Sequence, residues 1–200
     1  MFVEDQIQVQ EYATRNPGEF FNVVMLAVAS ANCPFYLMGD VMADIAANGE
    51  TSKWLRGCKR DGYIWLSENH YSLYDEFISV WIHNPLESKE TAFRRLLAVP
   101  GLGLVKAGFA VQLLLGEIGC IDQHNREMYG IEKRDLYYRK HKLTTAGKER
   151  KAQNYINICA MNGGSEYLWD IWCNHIAKVY PNEVFQSGQA VSQYHWEVLP

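Results

Sequence analysis

Sixteen consecutive residues, 96–111, restrict this chain to few folds: Leu96-Leu97-Ala98-Val99-Pro100-Gly101-Leu102-Gly103-Leu104-Val105-Lys106-Ala107-Gly108-Phe109-Ala110-Val111. Apolar residues recur at helical spacing on both sides of a Gly-apolar-Gly centre, so the stretch reads as two helices joined by a tight hairpin. Gly101 and Gly103 permit the positive φ of a tight turn and, lacking side chains, let the backbone come close to another group. Leu102 plugs the gap between the helices, and Ala107 is small where they cross. The alternative is an accidental helix turn, which has no need to satisfy every position at once.

A Gly-x-Gly centre also occurs in nucleotide-binding loops. Here the segment before it is helical and carries Arg94 and Arg95, and no alternation of strands and helices surrounds it, which argues against a dinucleotide fold. The second helix directs its free N–H groups and positive dipole end out of the hairpin, where they suit a phosphate. Pro100, Gly101, Leu102, Gly103, Val105 and Lys106 are therefore the expected contacts to a DNA backbone. Such contacts position a protein on DNA without reading its sequence.

The formal net charge is −4, which excludes a general polyanion binder; affinity for DNA has to come from local patches and backbone donors. One basic stretch exists: residues 133–151 hold eight Lys and Arg against three Asp and Glu. It reads equally as a phosphate-tracking patch and as a solvated helix face. The five cysteines, Cys33, Cys58, Cys120, Cys159 and Cys173, are widely separated, with no close pair of the kind zinc or an iron–sulfur cluster requires. Reduced thiols packed in a core are expected, with no metal and no cofactor. Neither a signal-peptide pattern nor an apolar run of transmembrane length is present, so a cytoplasmic protein of a bacterium or phage-infected cell, without membrane contact, is expected.

Two hundred residues, 48% of them hydrophobic, suit one helical domain spanning 1–200 and able to bury a core. Asn16-Pro17-Gly18-Glu19 has the form of a helix start, and the helix behind it, to about Ala31, is apolar nearly all round and belongs in the middle of the domain. Further helices are predicted at 35–47, 51–58, 71–82, from Ser88 to the hairpin, from Gly103 to about Leu115, and at 148–161, 166–179 and 187–198. Trp169, Trp172 and Trp196 are expected to close the C-terminal part by aromatic packing.

Asp122 follows Gly103 by nineteen residues and opens another helix in Ile121-Asp122-Gln123-His124. For an isolated aspartate the helix N-cap is the default reading. Taken together, Val99-Pro100-Gly101-Leu102-Gly103 and Ile121-Asp122-Gln123-His124 resemble in type, order and spacing the signature of the helix-hairpin-helix base-excision DNA glycosylases. That superfamily includes endonuclease III and the adenine-mismatch, alkyl-base and oxoguanine glycosylases. The apolar helix ending in Ser30-Ala31-Asn32 is similar to a further family segment whose polar side chain reaches the DNA, which makes Asn32 a candidate contact.

The resemblance implies an all-α, two-lobed fold that binds double-stranded DNA carrying a damaged or modified base, as a monomer. It implies extrusion of the target nucleotide, since the bond between base and sugar is inaccessible in the duplex. Asp122 would stabilise the oxocarbenium-like sugar or activate the nucleophile. His124 matches the family, although a histidine after a helix start often only bonds neighbouring backbone. Tyr71, Tyr74 and Trp81 are candidates for a base pocket.

The sequence departs from the pattern at one position. Relatives that also cleave the strand carry a lysine two residues after the second glycine, where this chain has Val105; Lys106 comes one residue later, a rotation of about 100° around a helix. Lys106 is thus a candidate Schiff-base nucleophile, a phosphate contact or an ordinary surface lysine. Three functions stay open: base excision, with or without abasic-site lyase activity; modification of a base without excision, as in phage DNA with hypermodified bases; and noncatalytic DNA binding.

Overall fold

The computed structural model describes the backbone of residues 2–34, 37–139 and 141–179 and the side chains of 6–34, 37–139 and 141–171. Among them the chain forms helices α1 (Phe2–Thr14), α2 (Pro17–Ala29), α3 (Met38–Asn48), α4 (Cys58–Glu76), α5 (Pro85–Leu96), α6 (Leu104–Leu115), α7 (Gln123–Met128), α8 (Thr145–Met161) and α9 (Gly164–Val179). No strand occurs among the described residues, so the all-α class holds. No described helix is long and apolar enough to cross a membrane. The helix predicted at 187–198, with Trp196, and the side chains of Trp172 and Cys173 lie outside the described residues.

α2 is the central helix, and its sequence says why. Asn16 is extended and its side chain accepts a hydrogen bond from the Glu19 amide at 3.0 Å, while Pro17 occupies the first turn. Phe20 and every residue from Val23 to Ala29 are buried, because α1, α3, α4 and α6 all pack around this helix.

Two elements differ from expectation. Residues 51–58 are not a helix: a single 3-10 turn at Gly49–Thr51 is followed by turns, and α4 then starts at Cys58 and runs unbroken to Glu76. α4 escapes detection because it buries only Gly62, Leu66 and Leu73, too few to write an apolar stripe. α1 was not foreseen for the same reason; Val9 and Ala13 are its buried contacts among the described side chains. Beyond Glu76 the helix widens into a π turn, Phe77–Trp81, closed by the Ile82 amide donating to the Phe77 carbonyl at 3.1 Å.

The core joins these helices through large side chains. Phe20 lies against Phe77 with ring centroids 5.2 Å apart, Phe93 of α5 stacks on Tyr155 of α8 at 5.4 Å, and Phe109 of α6 stacks on Trp169 of α9 at 6.5 Å. Trp169 is buried, so it closes the C-terminal part as expected. Trp81 belongs to the core, and the Tyr74 hydroxyl donates to the Thr14 carbonyl at 2.7 Å. Tyr71 is exposed against His70, so these three aromatics form no common base pocket.

Candidate functional site

The hairpin lies where the pattern of 96–111 put it, between α5 and α6. The Val99 amide donates to Leu96 O at 3.0 Å and the Leu102 amide to Val99 O at 3.3 Å, folding the turn on itself. Leu102 is buried as the plug, and Ala107 is fully buried. The turn sits on the start of α4: a Cβ on Gly101 would stand 2.8 Å from Cys58 O, and one on Gly62 would stand 2.5 Å from Pro100 O.

The two hairpin glycines do different work, which corrects the expectation that both need positive φ. Gly101 has φ 84°, a left-handed conformation that favours glycine. Gly103 has φ −95° and ψ −175°, backbone any residue adopts, and a Cβ there would meet nothing within 4 Å. Its missing side chain leaves open space at the mouth of α6. The first intrahelical bond is from Ala107 N to Gly103 O, 2.9 Å, so the Leu104, Val105 and Lys106 amides precede the ladder. Val105 and Lys106 are half-buried beside that opening.

Asp122 is the N-cap of α7. Its Oδ1 accepts from the Asn125 amide at 2.8 Å. The residues before it are irregular backbone in a buried setting, where every unpaired polar group is costly. Three side chains from three helices satisfy them. Tyr155 of α8 accepts from the Ile121 amide at 3.1 Å and donates to Gly119 O at 2.9 Å. Gln112 of α6 accepts from the Cys120 amide at 3.1 Å while its NH2 donates to Ser165 O at 2.8 Å. Asn125 of α7 donates to Cys120 O at 2.8 Å and to Leu168 O at 3.1 Å. α6 approaches this segment so closely that a Cβ on Gly108 would stand 2.4 Å from Gly119 O.

Lys106 extends toward the same region. Its Nζ lies 5.3 Å from the centroid of the Phe109 ring, a cation–π arrangement one helical turn along α6. Burial pushes the Cys120 thiol up to about 12, with Lys106 pulling it down and Asp122 pushing it up. One sulfur therefore feels both charges: the structure gathers Lys106, Cys120 and Asp122 into one electrostatic neighbourhood. Such a thiol stays protonated at neutral pH and is no nucleophile.

A second lysine completes this cluster. Lys59, in the first turn of α4, donates from Nζ to Ala29 O at 2.7 Å, covering the C-terminal carbonyls of α2. Burial lowers its pKa, Cys33 raises it and Lys106 lowers it further. The Cys33 thiol is raised by burial and lowered by Lys59 and Lys106. Lys59, Cys33 and Lys106 thus bring the end of α2, the start of α4 and the start of α6 together.

Other expected residues scatter. Asn32 is exposed next to Cys33 and has φ 53°, a left-handed conformation that asparagine tolerates. His124 is half-buried in the first turn of α7. Arg94 bonds Glu149 at 2.7 Å and Glu90 at 3.0 Å, and Arg95 bonds Glu76 at 3.0 Å, so both are tied to acids of this chain. In the basic stretch Lys151 donates to Arg134 O at 2.9 Å and Arg134 pairs with Glu132, whereas Lys133, Lys142 and Arg150 are exposed. The cysteine expectation needs one correction: Cys58 is exposed at the start of α4, while Cys159 is buried and Cys33 and Cys120 are half-buried, all four of them free thiols.

Sequence reasoning missed Lys59, Gln112, Asn125 and Tyr155. For Gln112 a signal existed, a lone amide inside the apolar run 107–115; the other three had none, since their partners are distant in sequence. Among the described residues no group of three or more His, Cys, Asp or Glu could hold a metal ion. No family model, no curated protein and no solved structure matches the chain.

Proposed function

We propose that the protein is a two-lobed, DNA-binding enzyme that acts on an extruded base, breaking the bond between base and sugar. The observation that carries the reading is the shared neighbourhood of Lys106, Cys120 and Asp122 beside the open N-terminus of α6. The Leu104, Val105 and Lys106 amides hold a backbone phosphate over Gly103, which brings the adjacent sugar toward Asp122. As the C1′–N bond breaks, its electron pair leaves with the base and positive charge grows on the sugar. The Asp122 carboxylate stabilises that charge, and water forms the new C1′–O bond and gives up its proton.

Lys106 supports a lyase variant of this reaction. Its amine takes the place of water at C1′, and opening of the sugar ring leaves a Schiff base. The test is a panel of duplexes carrying different damaged or modified bases, read by mass spectrometry. Release of free base supports excision; an altered nucleoside retained in the strand replaces excision with base modification. Borohydride trapping on abasic DNA, lost in Lys106→Ala, supports the lyase variant, and absence of an adduct removes it.

A specific observation favours a second reading, noncatalytic DNA binding: the Asp122 cap on Asn125 already gives the aspartate a structural task. Asp122→Asn separates the two, because asparagine caps helices as well as aspartate does.

A further inference from the structure

Away from the hairpin, α2, α3 and α4 enclose a second cavity of about 610 Å³. It belongs to the opposite end of α2: its α2-side residues run from Asn16 to Asn22, whereas Lys59 holds Ala29, roughly 10 Å further along the axis at 1.5 Å per residue. The volume falls in the range of small-molecule sites, about 300–1,000 Å³.

The walls are aromatic and the floor aliphatic. Phe21 meets Tyr63 edge-on, centroids 5.6 Å apart at 88°, and meets His70 at 5.5 Å and 75°. Met42 and Ile45 of α3, both buried, form the floor. This is the surface of a slot for a flat ring. Its polar groups are acceptors. His70 Nδ1 lies 3.0 Å from Leu66 O and 3.2 Å from Ser67 O, so Nδ1 carries the hydrogen and Nε2 is left as the acceptor of the neutral ring. Glu19 lines the same cavity, its side chain 24% exposed, with Oε2 buried and no hydrogen bond to it; Arg15 Nε stands 3.7 Å away, beyond hydrogen-bonding distance.

We propose that this cavity binds a flat heterocycle with adjacent N–H donors, of the guanine type, between the aromatic walls, with the Glu19 carboxylate accepting its donor edge. Two parallel N–H donors, the ring N–H and the exocyclic amine of guanine, match the two oxygens of a carboxylate after a small turn of the Glu19 side chain. Adenine and cytosine set a single amine beside a ring acceptor, which faces a carboxylate unfavourably. Thymine flanks its one N–H with two carbonyl oxygens and is the worst fit. The site is independent of the hairpin chemistry.

Isothermal titration of the whole protein with guanosine, adenosine, cytidine and thymidine tests this. Guanosine should bind most tightly and thymidine most weakly. Glu19→Gln should weaken guanosine at least about tenfold, the loss of one charge-assisted hydrogen bond. Ala46→Phe, which grows a ring into the cavity from an exposed position of α3, should abolish binding while thermal unfolding stays that of the parent. The proposal is overturned if guanosine fails to bind at millimolar concentration, if thymidine binds as well, or if Ala46→Phe binds guanosine unchanged.

Discussion

The Tyr155 hydroxyl oxygen lies 3.1 Å from the Ile121 amide, a hydrogen bond from the middle of α8 to the residue before Asp122. The same hydroxyl donates to Gly119 O, so one buried side chain satisfies backbone on both sides of Cys120. Removing that oxygen in Tyr155→Phe keeps the ring stacked on Phe93 but strands two buried backbone groups. At about 1–3 kcal/mol for each unsatisfied group, denaturant unfolding should show a loss of about 2 kcal/mol or more. Hydrogen exchange should accelerate first at the Ile121 amide. An unchanged unfolding midpoint would remove Tyr155 as the support of this segment.

The glycines of the hairpin and of α6 separate structural from functional demands. Gly108→Ala would ordinarily stabilise a helix by about 0.5–1 kcal/mol, yet its Cβ is directed at Gly119 O 2.4 Å away, so a net destabilisation of about 1–3 kcal/mol is expected. Gly101→Ala should also destabilise, from positive φ and the Cys58 carbonyl. Gly103→Ala meets no atom and should unfold within about 0.5 kcal/mol of the parent. Binding to duplex DNA should nonetheless fall in Gly103→Ala, because the methyl group stands where the phosphate comes. Titration of fluorescent duplex at fixed salt checks the last point; unchanged affinity counts against phosphate binding at this turn.

Asp122→Asn should fold like the parent, since asparagine provides the same cap to the Asn125 amide. If the carboxylate stabilises the sugar cation, single-turnover base release should slow by about 10²–10³-fold, the usual effect of removing one electrostatic contact in a transition state. Equal rates in the two proteins would leave Asp122 a cap only.

Alkali should destabilise the fold in a defined window. The Cys120 thiol is held near 12 against an ordinary value of 9, and burial raises Cys159 and Tyr155 in the same direction. With folded pKa values raised, the stability these groups contribute is complete below pH 9, and it falls between about 9 and 12 as the unfolded chain releases its protons first. Urea midpoints measured at pH 8, 9.5 and 11 should therefore decline, and the decline should be smaller in Cys120→Ala. Alkylation of the native protein at pH 8 should label exposed Cys58 and spare Cys120 and Cys159.

Much of this architecture is legible in local sequence. The cap at Asn16, the buried run of α2, the hairpin with its Leu102 plug and the start of α7 at Asp122 each depend on residues within one or two turns of each other. Local periodicity and capping chemistry suffice for such elements. α4 was misread because its packing surface is small: Gly62 is buried by the Pro100 carbonyl, a contact that apolar spacing cannot register.

The chain by itself determined that the protein is helical, where the hairpin turns, and which aspartate begins α7, since these follow from propensity and short-range hydrogen bonding. Only tertiary structure decided what surrounds that aspartate. Lys59 meets Ala29 across thirty positions, Gln112 reaches Ser165 across fifty-three, and Tyr155 reaches Ile121 across thirty-four. Each is a polar group satisfied by a partner brought close only when the helices pack, and no spacing rule within one strand of sequence encodes such a pairing. The same holds for the difference between Gly101 and Gly103: identical residues in sequence, one is required by its own backbone angle and the Cys58 carbonyl against it, and the other faces open space.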